Sequence, residues 1–222
     1  MAVQVEIHIK YTAAPNRDAP RDASAIVIWL TPVSGPFVKE SDAALARLPH
    51  HFELIQLHKR FEPHLLVVPV GSAVAFPNRD PFFHNVFSLF SGQRFDLGLY
   101  EAGATRTVKF DRAGVSYIFC NIHPQMSAVV IAVTTPYYAV TNKLGVGIIP
   151  DVPDGRYRLQ VWSEHALPKT LANLAQELTV RGKVPDLKAI SIQAAADLLA
   201  NHKNMYGRDY DPATPADAPY AQ

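Results

Sequence analysis

The sequence predicts an all-β protein: a Greek-key β-sandwich in the middle of the chain, a second, smaller β-sandwich assembled from its flanks, and a C-terminal helix. Three observations predict it. Val3, Val5, Ile7 and Ile9 alternate with Gln4, Glu6, His8 and Lys10, the period-2 pattern of a half-buried strand. Between residues 52 and 133, short apolar runs recur at close spacing, punctuated by Gly71, Gly92, Gly103 and Gly114, as the hairpins and corners of a sandwich require. Further on, a turn at Pro153, Asp154 and Gly155 feeds Tyr157, Leu159 and Val161, which again alternate with polar residues.

The elements follow in order. A strand over 3–10 opens the chain. After a Pro-, Asp- and Arg-rich turn region at 15–22, the continuous apolar run 25–30, flanked by Pro32 and Gly35, reads as a buried strand. Residues 36–51 form a linker with a short helix around 41–47. Strands are expected at 52–58, 64–70, 72–76, 85–90, 104–110, 114–119 and 128–133, with 60–62 as a turn. The next stretch gives a strand at 137–141, a turn over 142–145, strands at 146–149 and 156–162, and a last strand near 177–180. Leu187, Ile190, Ala194, Leu198 and Met205 then fall at steps of three, four, four and seven, one apolar stripe on a helix. The last dozen residues, rich in Ala, Asp and Pro, read as unstructured.

Composition narrows the function. The chain has 222 residues, 48% hydrophobic and 18% charged, enough apolar surface for real cores. A net charge of +1 argues against nucleic-acid binding and against a polybasic membrane anchor. No run approaches the roughly 18 apolar residues of a membrane span. Cys120 is the one cysteine, which excludes a disulfide framework and a zinc cluster built on several thiolates. The first residues lack the charged and apolar regions of a secretion signal; the protein is either cytoplasmic or, the preferred reading, periplasmic with its export leader removed.

Around that cysteine lies the chemistry. Cys120, His123 and Met126 stand at C-x2-H-x2-M spacing. A soft thiolate, an imidazole and a weak axial thioether are the ligands of a blue copper site. The missing second imidazole is His84, just ahead of the strand expected at 85–90. One loop between two strands then supplies three ligands and an adjacent strand the fourth. That trigonal frame suits Cu(II) and Cu(I) alike, while the axial sulfur tunes the potential. A two-copper mixed-valence centre needs a second cysteine. A His-Cys-His link to a trinuclear cluster is absent, since Phe119 and Asn121 flank Cys120. Zinc sites seldom use methionine, and a Cys–His nucleophile needs an oriented base that nothing here suggests. His8, His50, His51, His58 and His64 read as surface residues.

Phe61 with Pro63, residues 67–71, Phe76 with Asn78, His84 with Asn85 and Val86, and the loop from Cys120 to Met126 resemble the plastocyanin/amicyanin branch of the cupredoxins. The resemblance covers residues 52–134. Pro124 and the two-residue gap between His123 and Met126 are similar to amicyanin; plastocyanins have a longer final gap. The resemblance implies one type 1 copper, with His84, Cys120 and His123 as equatorial ligands and Met126 axial. It also implies a backbone N–H from Asn85 to the Cys120 sulfur, and Asn78 tying the neighbouring loops together. His123 would present its outer edge to solvent, ringed by Phe82, Phe83 and Pro124. The turn at 152–155 and the strand after it resemble carboxypeptidase-regulatory-like, transthyretin-like β-sandwiches. Residues 1–48 and 135–182 are therefore expected to fold together around an inserted 52–134 domain, with 183–222 as helix and tail. The function implied is a non-enzymatic, soluble one-electron carrier for a redox partner protein. The alternative is a copper-delivery protein whose accessory β-domain docks a client.

Overall fold

Alternating apolar side chains lay out the strands of the computed structural model, which describes residues 2–14, 18–34, 37–89, 92–182, 187–195 and 202–210. Along the chain come β1 (Ala2–Thr12), β2 (Val27–Ser34), α1 (Phe37–Leu45), β3 (His51–Glu53), β4 (Ile55–Leu57) and β5 (Arg60–Glu62). Then follow β6 (Leu65–Pro69), β7 (Ser72–Pro77), β8 (His84–Ser88), β9 (Phe95–Tyr100), β10 (Thr105–Phe110), β11 (Gly114–Cys120) and β12 (Ser127–Val133). The last are β13 (Tyr138–Val140), β14 (Val146–Pro153), β15 (Gly155–Trp162), α2 (Pro168–Asn173), β16 (Gln176–Val180) and β17 (Ile190–Gln193). The protein is all-β with two short helices among the described residues. None of these helices is long and apolar enough to cross a membrane.

Contacts group the chain into two compact units, Met1–Leu48 with Thr134–Leu199 and Pro49–Val133 with Ala200–Gln222. The first holds a sheet in the order β14-β1-β17 and another in the order β13-β2-β15-β16. Val5, Ile7, Ile9 and Tyr11 of β1 are buried while the residues between them are exposed, the alternation read from the sequence. Gly145 closes the turn ahead of β14 at φ +75°, where a Cβ would come within 1.9 Å of the Ile9 carbonyl oxygen. Only glycine fits there.

The second unit contains the sheet β6-β12-β11-β8-β9, the sheet β10-β7-β3 and the β4–β5 hairpin. One core joins them: Val74 and Phe76 of β7, Val108 and Phe110 of β10, Val86, Tyr100, Ile118, Val130 and Ala132. Ile118 and Cys120 share the core-facing parity of β11, so the period-2 rule carries the cysteine side chain inward. β11 and β12 pair antiparallel, with Phe119 opposite Ser127. β8 lies on the other side of β11, with Cys120 opposite Val86. That register brings His84, two residues before Val86, beside the loop that leaves β11.

Several expectations are corrected. Residues 52–58 are not one strand: the chain switches at Leu54, fully buried, from a parallel pairing of β3 with β7 to an antiparallel pairing of β4 with β5. Residues 60–62 are β5 rather than a turn. The turn is His58 and Lys59, at φ 55° and 56°, held because the Asp80 carboxylate accepts both their N–H groups, at 2.6 and 2.9 Å. β9 went unread because Asp96 and Gly98 look like turn signals. They instead form an irregularity within the strand, with Gly98 at φ +65° donating its N–H to Asp96 Oδ1 at 2.9 Å. α2, which begins at Pro168 in the position proline favours, is too short to leave a periodic signal.

The stripe from Leu187 to Met205 is not one helix. Ile190–Gln193 is β17, parallel to β1, with Ile190 and Ile192 buried and their neighbours exposed. A period of two was concealed within a plausible period of 3.6. Residues 196–201 and the expected tail at 211–222 lie outside the described residues, and 202–210 is an irregular turn segment.

Candidate metal centre

Three strand ends build the site. β11 delivers Cys120 at its last position, β12 starts just after Met126, and β8 begins with His84. The hairpin is closed by the Cys120 N–H donating to the Met126 carbonyl at 3.1 Å and the Met126 N–H donating to the His123 carbonyl at 3.0 Å. This folds the five residues between them into a tight loop and turns His123 back toward the cysteine. Cys120 Sγ lies 3.6 Å from His84 Nδ1 and 3.4 Å from His123 Nδ1. All three donor atoms fall within 4.8 Å of one another. Met126 and Cys120 are both fully buried members of the same core.

These separations suit a shared cation. With a metal–sulfur distance of about 2.3 Å and a metal–nitrogen distance of about 2.0 Å, a common ion spaces sulfur and nitrogen about 3.5 Å apart. The protonation states suit it too. Burial pushes the Cys120 thiol up, against the opposing pull of backbone N–H groups from Ile122, Asn85 and His123. Burial likewise lowers His84, partly offset by Asp80. His123 falls to about 4, by burial and then by the positive charge of His84 and Lys59. Both imidazoles are thus neutral and offer a lone pair at neutral pH. The buried sulfur gains its negative charge most readily when a cation takes the place of its proton.

The surroundings hold these groups in place. His84 is 0% exposed, and its Nε2 meets Asp80 Oδ2 at 2.9 Å, so Nδ1 is left for the cysteine side. Asp80 sits below its ordinary carboxylate value even though burial opposes ionisation, because the N–H of Lys59, the His84 ring and the N–H of His58 all favour the anion. Sequence reading missed Asp80; a carboxylate four residues before the histidine was the available signal. Asn78 orders the 78–83 loop: its Nδ2 donates to the Phe82 carbonyl at 2.7 Å and its Oδ1 accepts the Asp80 N–H at 3.0 Å. Asn85 adds a tie of its own, donating from its side chain to Asp96 Oδ1 at 2.8 Å. The Phe82 ring lies 5.4 Å from that of His84 and 5.6 Å from that of His123. Beside them Phe83 and Ile122 are 39% and 44% exposed.

A histidine–cysteine–histidine cluster at one end of a β-sandwich defines the class of protein with which comparison is meaningful. No family model matches the chain, and no curated protein matches it. The solved structures to which it is similar include cupredoxins. A purple cupredoxin from Nitrosopumilus maritimus is 28% identical over 33% of this chain and 81% of that one, with a TM-score of 0.31. A reduced amicyanin variant is 22% identical over 40% of this chain and 89% of that one, with a TM-score of 0.36. The Cu-containing nitrite reductase of Thermus scotoductus is 24% identical over 41% of this chain but only 26% of that one, with a TM-score of 0.37.

Proposed function

We propose that the protein is a type 1 copper protein acting as a one-electron carrier, in which His84, Cys120, His123 and Met126 would hold the metal. The observation that carries this reading is the convergence of Cys120 Sγ and the two Nδ1 atoms within 4.8 Å, with Met126 buried at the end of the same loop. When bound, copper would supply a Cu(II)/Cu(I) couple that takes up and releases a single electron. The residues keep the frame constant during that exchange. The loop hydrogen bonds fix Cys120 against Met126, Asp80 fixes the His84 ring, and the core excludes water from the sulfur.

Donor chemistry favours copper over zinc here, because a thioether completes the set where a zinc site would keep an open position or add a harder ligand. The partner is a redox protein, and His123 is the port. Its ring is half-buried, and exposed Phe83, Ile122 and Pro124 around it form a small apolar surface suited to brief docking. The first unit is read as an accessory sandwich of the carboxypeptidase-regulatory-like kind, interrupted by the copper unit, and the protein as periplasmic.

The test is a copper titration of the full chain followed by cycling with a reductant and an oxidant. One equivalent should bind, and the optical signal should bleach and return without loss of metal. Release of copper on each reduction would instead support the delivery reading.

A further inference from the structure

Three consecutive residues at the end of β11 are each gripped by the segment 202–210. The His202 ring stacks on the Phe119 ring, with centroids 4.1 Å apart and planes 20° from parallel. Tyr210 O–H donates to the Cys120 carbonyl at 2.8 Å. The backbone N–H of Met205 donates to Asn121 Oδ1 at 3.0 Å. His202 Nε2 and the Tyr210 oxygen are 3.0 Å apart. Since the Tyr210 proton is directed at Cys120, the imidazole donates here and the phenol oxygen accepts.

The segment is built to hold this shape. Asn204 Oδ1 accepts the N–H groups of Tyr206 and Arg208, each at 3.0 Å. The Asn204 N–H donates to the Arg208 carbonyl at 2.9 Å, and Lys203 pairs with Asp209. Gly207, at φ +73°, supplies the left-handed turn that closes the loop. A segment that is already ordered loses little further entropy in making its three contacts.

From this we infer that 202–210 is a clamp on the cysteine ligand, and that Tyr210 is a positioning residue acting through the Cys120 carbonyl. The inference rests on the copper reading above for its consequence, but not for its geometry. The clamp restrains Phe119, Cys120 and Asn121 in addition to the loop hydrogen bond that ties Cys120 to Met126. It therefore limits how far the Cys120 backbone, and with it the sulfur, moves. A phenol is protonated at neutral pH, so the donor persists there.

The test compares wild type with Tyr210→Phe and Tyr206→Phe in the full chain, with and without copper. Because Cys120 is the only cysteine, thiol labelling of the metal-free protein reports on that residue alone. Tyr210→Phe removes both the bond to the Cys120 carbonyl and the one from His202; losing the first alone should raise the labelling rate about five-fold, without the urea dependence of global unfolding. Tyr206, on the same segment with an exposed ring, should give the wild-type rate. With copper bound, Tyr210→Phe should keep one metal per chain but shift the thiolate-to-copper absorption band. Labelling at the wild-type rate would overturn the clamp. So would labelling that merely tracks global unfolding, an equal effect from Tyr206→Phe, or an unshifted band. If the copper-loaded wild type shows no such band, the copper reading fails, and the labelling experiment alone decides the clamp.

Discussion

His84 and His123 have ring centroids only 4.9 Å apart, yet the protein treats them differently. His84 is fully buried on a strand, with its outer nitrogen on Asp80. His123 is half-buried on a loop, and among the described residues no hydrogen-bond partner meets its Nε2. A carboxylate behind an imidazole fixes its ring and tautomer and raises its basicity. An imidazole without such a partner can adjust, and this residue is partly exposed. On the proposed function the pair would divide the work: one imidazole would anchor the metal and the other would face the partner.

The largest effect should come from the group both imidazoles face. Cys120→Ser replaces a soft thiolate with a hard hydroxyl, and the copper-loaded protein should lose its colour whatever either histidine does. Next, His84→Gly and His123→Gly should separate the two roles. Added imidazole should enter the half-open His123 position and restore the spectrum, but should fail at the fully buried His84 position. Equal rescue of both would erase the distinction.

Asp80→Asn should weaken copper binding about 10- to 100-fold, the usual cost of losing a partner behind a metal-bound histidine. It should also loosen the β4–β5 turn, because the same carboxylate holds the N–H groups of His58 and Lys59. A matched change at the His123 end, Phe83→Asp, should slow electron transfer to a partner and leave affinity nearly unchanged.

A smaller effect belongs to pH. The folded-state pKa of His123, about 4, lies below the ordinary 6.5, and that of His84 is lowered too. Between those values the unfolded chain binds more protons than the folded one. Stability of the metal-free protein should therefore fall as pH drops from about 6.5 toward about 4. His123→Gln should flatten that slope in urea titrations. The smallest effect is that of Met126→Leu, a volume-conserving change in a packed core that costs less than about 1.5 kcal/mol. Copper should stay bound, and the reduction potential should rise.

What could be read from the sequence follows from how local each signal is. The grouping of His84, Cys120 and His123 was legible because C-x2-H-x2-M is a contiguous pattern whose donor types have few joint uses, and because His84 sits at a strand start. Alternation in β1 was legible for the same reason, as were β11 and β12 as short apolar runs. Asp80 was not, because its role depends on a side chain reaching a turn 22 residues upstream and a ring four residues downstream. β17 was misread because Ile190 and Ala194 satisfy both periods at once, and only pairing with β1 decides between them. The contacts of Tyr210 with Cys120, 90 residues apart, leave no trace in local pattern.

The most direct test of the central claim is an electron paramagnetic resonance spectrum of the wild-type chain carrying one equivalent of Cu(II). A thiolate and two imidazoles in a trigonal frame with a distant thioether predict a small parallel hyperfine splitting together with intense visible absorption. A large splitting with pale colour would show copper in an ordinary tetragonal nitrogen and oxygen environment, and would contradict the assignment of Cys120, His84, His123 and Met126 as its ligands.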